Sequence, residues 1–186
     1  MSNSVMNNSN SQHYNLVARS IHWVSALVII GMFAVGIWMV DLSYYSEWYR
    51  TAPHWHKSVG LLLVGLTLFR FIWKALTSSP KLEGARWEVL TAKSVHHLMY
   101  VGLFVLFVSG YLISTEDGRG IEVFNWFTVP GAGALFENQA DIAGDIHFYT
   151  AWGLIILAVL HAVAALKHHF INRDNTLRKM LTGASK

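Results

Sequence analysis

Two histidines, His147 and His161, stand on the apolar run HFYTAWGLIILAVLHAVAALK at positions 147–167. A run of about 20 mostly apolar residues is what one helix needs to cross a bilayer. At about 100° and 1.5 Å per residue, a spacing of 14 returns the second imidazole to within roughly 40° of the first, about 21 Å further along the axis. Both side chains therefore share one stripe at different membrane depths. Between them the stripe carries Ala151, Leu154 and Ala158, a mostly small-residue surface against which a flat, bulky group can lie. An ionisable side chain in lipid is costly, so two on one face point to function. Two stacked haems fit this pattern. The competing reading is that each histidine hydrogen-bonds a neighbouring helix.

Composition narrows the choices. Apolar residues make up 53% of the 186, too many for an ordinary soluble domain. Cysteine is absent, which removes disulfides, iron–sulfur clusters, thiolate zinc sites and covalently attached haem together. The net charge of +3 does not suggest nucleic acid, because the bases are dispersed around the ends of the apolar runs.

The expected fold is all-α, an integral membrane four-helix bundle with helices over about 18–40, 56–76, 95–114 and 147–167. Residues 1–13 are polar and lack the basic region and cleavage site of a secretory signal, so they form a disordered lead and the first helix acts as its own insertion signal. Residues 181–186 form a short tail. The first helix carries Arg19 at its start, His22 one turn inside and Gly36 14 positions on; the second carries His56 and, 14 on, Arg70; the third opens with His96 and His97, with Gly110 14 after His96. Arg70, and Arg19 near the same surface, are candidate partners for haem propionates. Tyr44, Tyr45, Trp48, Tyr49 and Trp55 lie in the first connection and belong at the lipid headgroups. The longest connection, 115–145, has glycines and Pro130 that rule out a long regular element through its middle; its Phe124, Trp126 and Phe127 can lie on the membrane.

Cytoplasmic N- and C-termini place Arg19, Arg70, Lys74, Lys81, Arg86, Lys93, Lys167, Arg173, Arg178, Lys179 and Lys186 inside, and only Arg50, Lys57 and Arg119 outside. This is the asymmetry of the positive-inside rule. Eight acids then face outward: Asp41, Glu47, Glu116, Asp117, Glu122, Glu137, Asp141 and Asp145. In this orientation His56 and His147 form an outer pair near the outer ends of their helices. His161 lies toward the inner surface with His22, but so do His96 and His97, and depth does not choose among them. Iron held by two histidines has both axial positions filled, which leaves electron transfer as its natural use. A zinc site would call for four converging ligands, usually with cysteine or carboxylate among them.

The chain resembles the bacterial cytochrome b561 family from Tyr14 to Met180. The matching pieces are S-I-H-W at Ser20–Trp23, H-K-S-V-G at His56–Gly60, H-x-x-x-Y at His96–Tyr100, I-H at Ile146–His147, and H-A-V-A-A-L-K-H-H-F at His161–Phe170, followed by R-D-N-T-L-R-K-M at Arg173–Met180. The resemblance implies a protein of the bacterial inner membrane with two b-type haems, the inner held by His22 and His161 and the outer by His56 and His147. It also implies ubiquinone as redox partner. His168, seven residues past His161 and within about 20° of its face, is the candidate quinone-site residue, since an interfacial histidine suits two-electron, two-proton chemistry. Some members oxidise superoxide at the outer face. The eight outer acids disfavour steering of an anion, and suit a basic periplasmic redox partner equally well. The alternative function is a haem-bearing membrane anchor that docks a dehydrogenase or hydrogenase through the long loop. The ligand assignment has a direct check by haem quantitation: His22→Ala loses one haem, while His96→Ala retains both.

Overall fold

In a computed structural model of the chain, residues 14–80 and 84–182 are described. The expected disordered lead, His13 within it, and residues 183–186 lie outside them. The described chain is mostly helical. Four helices, α1 (Leu16–Val40), α2 (Trp48–Leu76), α3 (Arg86–Thr115) and α4 (Gln139–Lys167), are each long and apolar enough to span a membrane. A π turn (His168–Asn172) continues α4, and a short helix α5 (Thr176–Leu181) follows.

Three helices begin eight or nine residues before their expected starts. Hydropathy marks the part that sits in lipid, whereas the hydrogen-bonded helix runs on into polar and aromatic sequence. Thus α2 runs through Pro53 in its second turn, and the aromatic connection shortens to residues 41–47. His56 and His147 consequently stand about two turns, roughly 12 Å, inside their helices rather than at the ends.

Packing is uneven. α1 lies along α2 and α3 along α4, but the two helical hairpins touch each other only sparsely. The outward faces are apolar and exposed, as at Leu27, Phe104 and Ile156, whereas Ser25, Ser58, Thr67 and Ser109 are buried alongside Leu63, Leu103 and Leu154. This is the polarity of a bundle whose surrounding solvent is hydrocarbon.

The connection between α3 and α4 contains a small antiparallel ribbon, β1 (Ile121–Val123) paired with β2 (Phe127–Val129). Its turn holds Phe124 (φ 45°) and Asn125 (φ 60°) in the left-handed region, closed by the Trp126 amide donating to the Val123 carbonyl at 2.8 Å. Paired positive φ values give the twist a tight ribbon needs. Gly120 is required beside it, since a Cβ there would lie 2.6 Å from the Val129 carbonyl oxygen. The fully buried Ser58 fixes the ribbon to α2: its hydroxyl donates to the Glu122 carbonyl (3.2 Å) and accepts from the Phe124 amide (3.1 Å).

Gln139 fastens the start of α4. It is completely buried, accepts from the Leu135 amide (2.8 Å), and donates to the carbonyls of Leu112 (3.0 Å) and Gly133 (3.3 Å). Gln139→Ala strands those groups without water, and we expect it to destabilise the detergent-solubilised protein by about 1–3 kcal/mol, measured as a lowered unfolding midpoint.

Candidate functional site

The 14-residue spacing recurs on every spanning helix, and the fold stacks the four copies into two layers. Toward the end that carries the start of α1 and α5, the terminal end, lie His22 of α1, Arg70 of α2, His96 of α3 and His161 of α4. Toward the end that carries the ribbon lie Gly36, His56, Gly110 and His147 in the same order. Antiparallel neighbours produce this alternation.

In the terminal layer the ring centres of His22 and His161 are 6.3 Å apart with planes at 65°. His96 comes nearer to His161, at 5.0 Å and 58°. His97 is exposed. In the ribbon layer the His56 and His147 ring centres are 6.4 Å apart at 67°. A metal bonded at about 2 Å to one nitrogen of each ring, with each ring centre about 1 Å behind its nitrogen, sets the centres about 6 Å apart. The His22–His161 and His56–His147 pairs have this separation, and both span the sparse seam between the two helical hairpins. The donor set and the ring separations therefore fit iron held between each pair.

Glycine makes room for two of these rings. A Cβ on Gly36 would lie 3.3 Å from Cε1 of His56, and one on Gly110 would lie 3.1 Å from Cε1 of His147. The imidazoles differ in how they are held. Nδ1 of His147 lies 3.1 Å from both the Leu106 carbonyl oxygen and Ser109 Oγ. Nδ1 of His56 is buried without a hydrogen-bond partner among the described residues. Nδ1 of His22 accepts from the Arg70 guanidinium at 3.2 Å.

Arg70 and Lys74 both approach the Tyr100 ring, each 5.6 Å from its centre. Neither belongs to the three ion pairs found among the described residues. Arg70 is thus a cation inside an apolar bundle beside a neutral ring, a placement that calls for an anion. Arg19, expected to share that role, is directed elsewhere: its guanidinium donates to the Leu181 carbonyl, and the Trp23 indole donates to that of Met180 at 3.1 Å. The two unfilled carbonyls at the end of α5 attract these donors.

His168 opens the π turn, and its Nδ1 pairs with Asp174 Oδ2 at 2.5 Å, both side chains largely covered. Burial works to raise the Asp174 carboxyl, but hydrogen bonds from His168 and the Thr176 amide (2.9 Å) hold it below the usual carboxylate range. Beside it, Lys167 bonds Glu88 of α3 at 2.5 Å and lies 5.5 Å from the centre of the Trp87 ring. His169 buries an unpartnered Nδ1, and His54 lies against Phe124. At the ribbon end Arg119 is paired with Asp117 at 2.5 Å, so its charge is locally balanced. Sequence reasoning did not single out Ser109, Ser58 or the Glu88–Lys167 pair. Ser109 precedes Gly110 and so lies about 100° off the repeated stripe, with no periodic signal of its own.

A model of the prokaryotic cytochrome b561 family matches residues 13–183. The chain is 44% identical over 176 residues to cytochrome b561 homolog 2 of Escherichia coli (strain K12), covering 94% of each chain. It is 26% identical over 171 residues to the probable superoxide oxidase CybB of Yersinia pestis, covering 90% of this chain and 95% of that one.

The close fit of Gly110 to His147 yields a graded expectation. Gly110→Ala displaces the ring by tenths of an ångström and costs about 1–3 kcal/mol by overpacking. Gly110→Leu evicts the ring. Haem quantitation on purified protein should show unchanged content for the first and loss of one haem for the second.

Proposed function

The chain belongs to the prokaryotic cytochrome b561 family, and on that premise we propose that it conducts electrons across a bacterial inner membrane through two b-type haems, between quinone and a partner at the outer surface. The observation that carries this reading is the repetition of one geometry, ring centres 6.3 and 6.4 Å apart at 65° and 67°, in two layers 14 residues apart. Haems held by these histidine pairs would supply one-electron redox centres that do not bind oxygen.

In this reading His56 and His147 are the ligands of the ribbon layer, and His22 and His161 those of the terminal layer. The 5.0 Å approach of His96 to His161 is short for a shared iron, which favours His22. With Arg70 donating to Nδ1 of His22, the ring proton sits on Nε2. A ligating His22 would carry its proton on the other nitrogen, which would free Arg70, with Lys74 one turn nearer the membrane surface, to pair with a carboxylate of the bound group.

The quinone exchanges electrons and protons at the terminal end, which the distribution of Lys and Arg assigns to the cytoplasm. Asp174 fixes the His168 proton on Nδ1 and leaves Nε2 to exchange protons with the quinone, the division of labour common to Asp–His pairs. For the outer partner, superoxide draws support from the likeness to the Yersinia pestis protein, a probable superoxide oxidase. The pairing of Arg119 with Asp117 leaves Arg50 and Lys57 as the local bases for such an anion.

A reduced-minus-oxidised spectrum with a pyridine haemochrome count tests the proposal. Two b-type haems per chain are expected; one contradicts a two-centre path, and none rejects electron transfer through haem. Separate addition of quinol, superoxide and basic periplasmic redox proteins to the oxidised protein identifies the donor by which of them reduces the haem band.

A further inference from the structure

Among the described residues, His147 is the one layer imidazole whose Nδ1 is held by oxygen atoms. Two of them converge on it, the Leu106 carbonyl and Ser109 Oγ, each at 3.1 Å. Ser109 is buried, at 3% exposure, and its hydroxyl is within 2.6 Å of the Val105 carbonyl oxygen and 3.2 Å of that of Leu106. A hydroxyl has one proton to give. Donated to Val105, at the shorter distance, it leaves the oxygen lone pairs facing the imidazole. The ring N–H of His147 then meets two acceptors, fixing the proton on Nδ1 and presenting the Nε2 lone pair to the seam between the helical hairpins. His56, on the other side of the same layer, has a buried Nδ1 with no partner, so it supplies neither orientation nor polarisation.

We propose that Ser109 is a positioning residue for the haem of the ribbon layer, holding His147 for ligation and lowering that haem's reduction potential; this rests on the two-haem reading above. Partners on the distal nitrogen of a ligating imidazole orient the ring and make it a stronger electron donor. A stronger donor stabilises ferric over ferrous iron, and hydrogen bonding around the ligands is one of the protein's means of setting haem potentials. Among the described residues nothing equivalent acts on His161, whose ring contacts are with His22 and His96. The two layers, alike in ring spacing, are thereby made unequal in potential.

The test is a spectroelectrochemical titration of the full-length, haem-loaded protein, comparing wild type, Ser109→Ala and Ser109→Thr, with low-spin electron paramagnetic resonance on each. Loss of one hydrogen bond to the ligand corresponds to a threefold to tenfold change in an equilibrium, on the order expected for a single such bond. In Ser109→Ala the ferric-to-ferrous ratio of one haem at fixed ambient potential should fall by about that factor, tenfold being about 59 mV for one electron. The other midpoint should stay, and Ser109→Thr, which keeps a hydroxyl, should track wild type in midpoint and resonance. Selective loss of one haem from Ser109→Ala with Ser109→Thr intact supports the same role. The proposal is overturned if neither midpoint moves, if both move together, or if Thr behaves as Ala. Fewer than two haems in wild type defeats the underlying reading; two haems with unmoved midpoints defeat only the role of Ser109.

Discussion

An imidazole or guanidinium in hydrocarbon must face the bundle interior, and in this chain each spanning helix carries at least one on a single stripe. Burying those stripes together sets the helix rotations. His22, Arg70, His96 and His161 converge at one depth, an arrangement that takes all four away from lipid. The glycines at the complementary positions follow from the same demand, since a ring such as His56 or His147 needs the backbone of its neighbour within contact distance.

Such a bundle does not close on itself as a soluble one does. The tight contacts are within each hairpin, α1 with α2 and α3 with α4, and the seam between hairpins is sparse, crossed by the histidine pairs and by the ring contacts of Phe33 with Trp152 (4.9 Å) and Phe71 with Tyr100 (4.6 Å). Cohesion across that seam is the natural contribution of a large flat ligand. The polar fastenings at the two ends, Gln139 and Ser58 at one and Lys167–Glu88 at the other, keep the helices in register.

Hydropathy and the 14-residue period were enough to read four helices, the stripe and the level at which Arg70 reaches His22, because each is a local, periodic property. Helix starts were not legible: Trp48–Trp55 and Gln139–Ile146 are helical through backbone hydrogen bonds that leave no apolar signature. Nor was Arg19's partner, which lies 162 residues away. The hydroxyl of Ser109 carries no period, and only the folded geometry turns it from one small helical residue among many into a neighbour of His147.

The Arg19 and Trp23 bonds to the end of α5 also bear on how the molecule is made. They join positions 162 and 157 residues apart, so the donors on α1 are not matched until the segment after α4 has been made. The segment after α4 thus acts as a clasp, tying the end of α5 back to the start of α1. A chain cut before residue 180 would leave Arg19 and Trp23 without these two carbonyls.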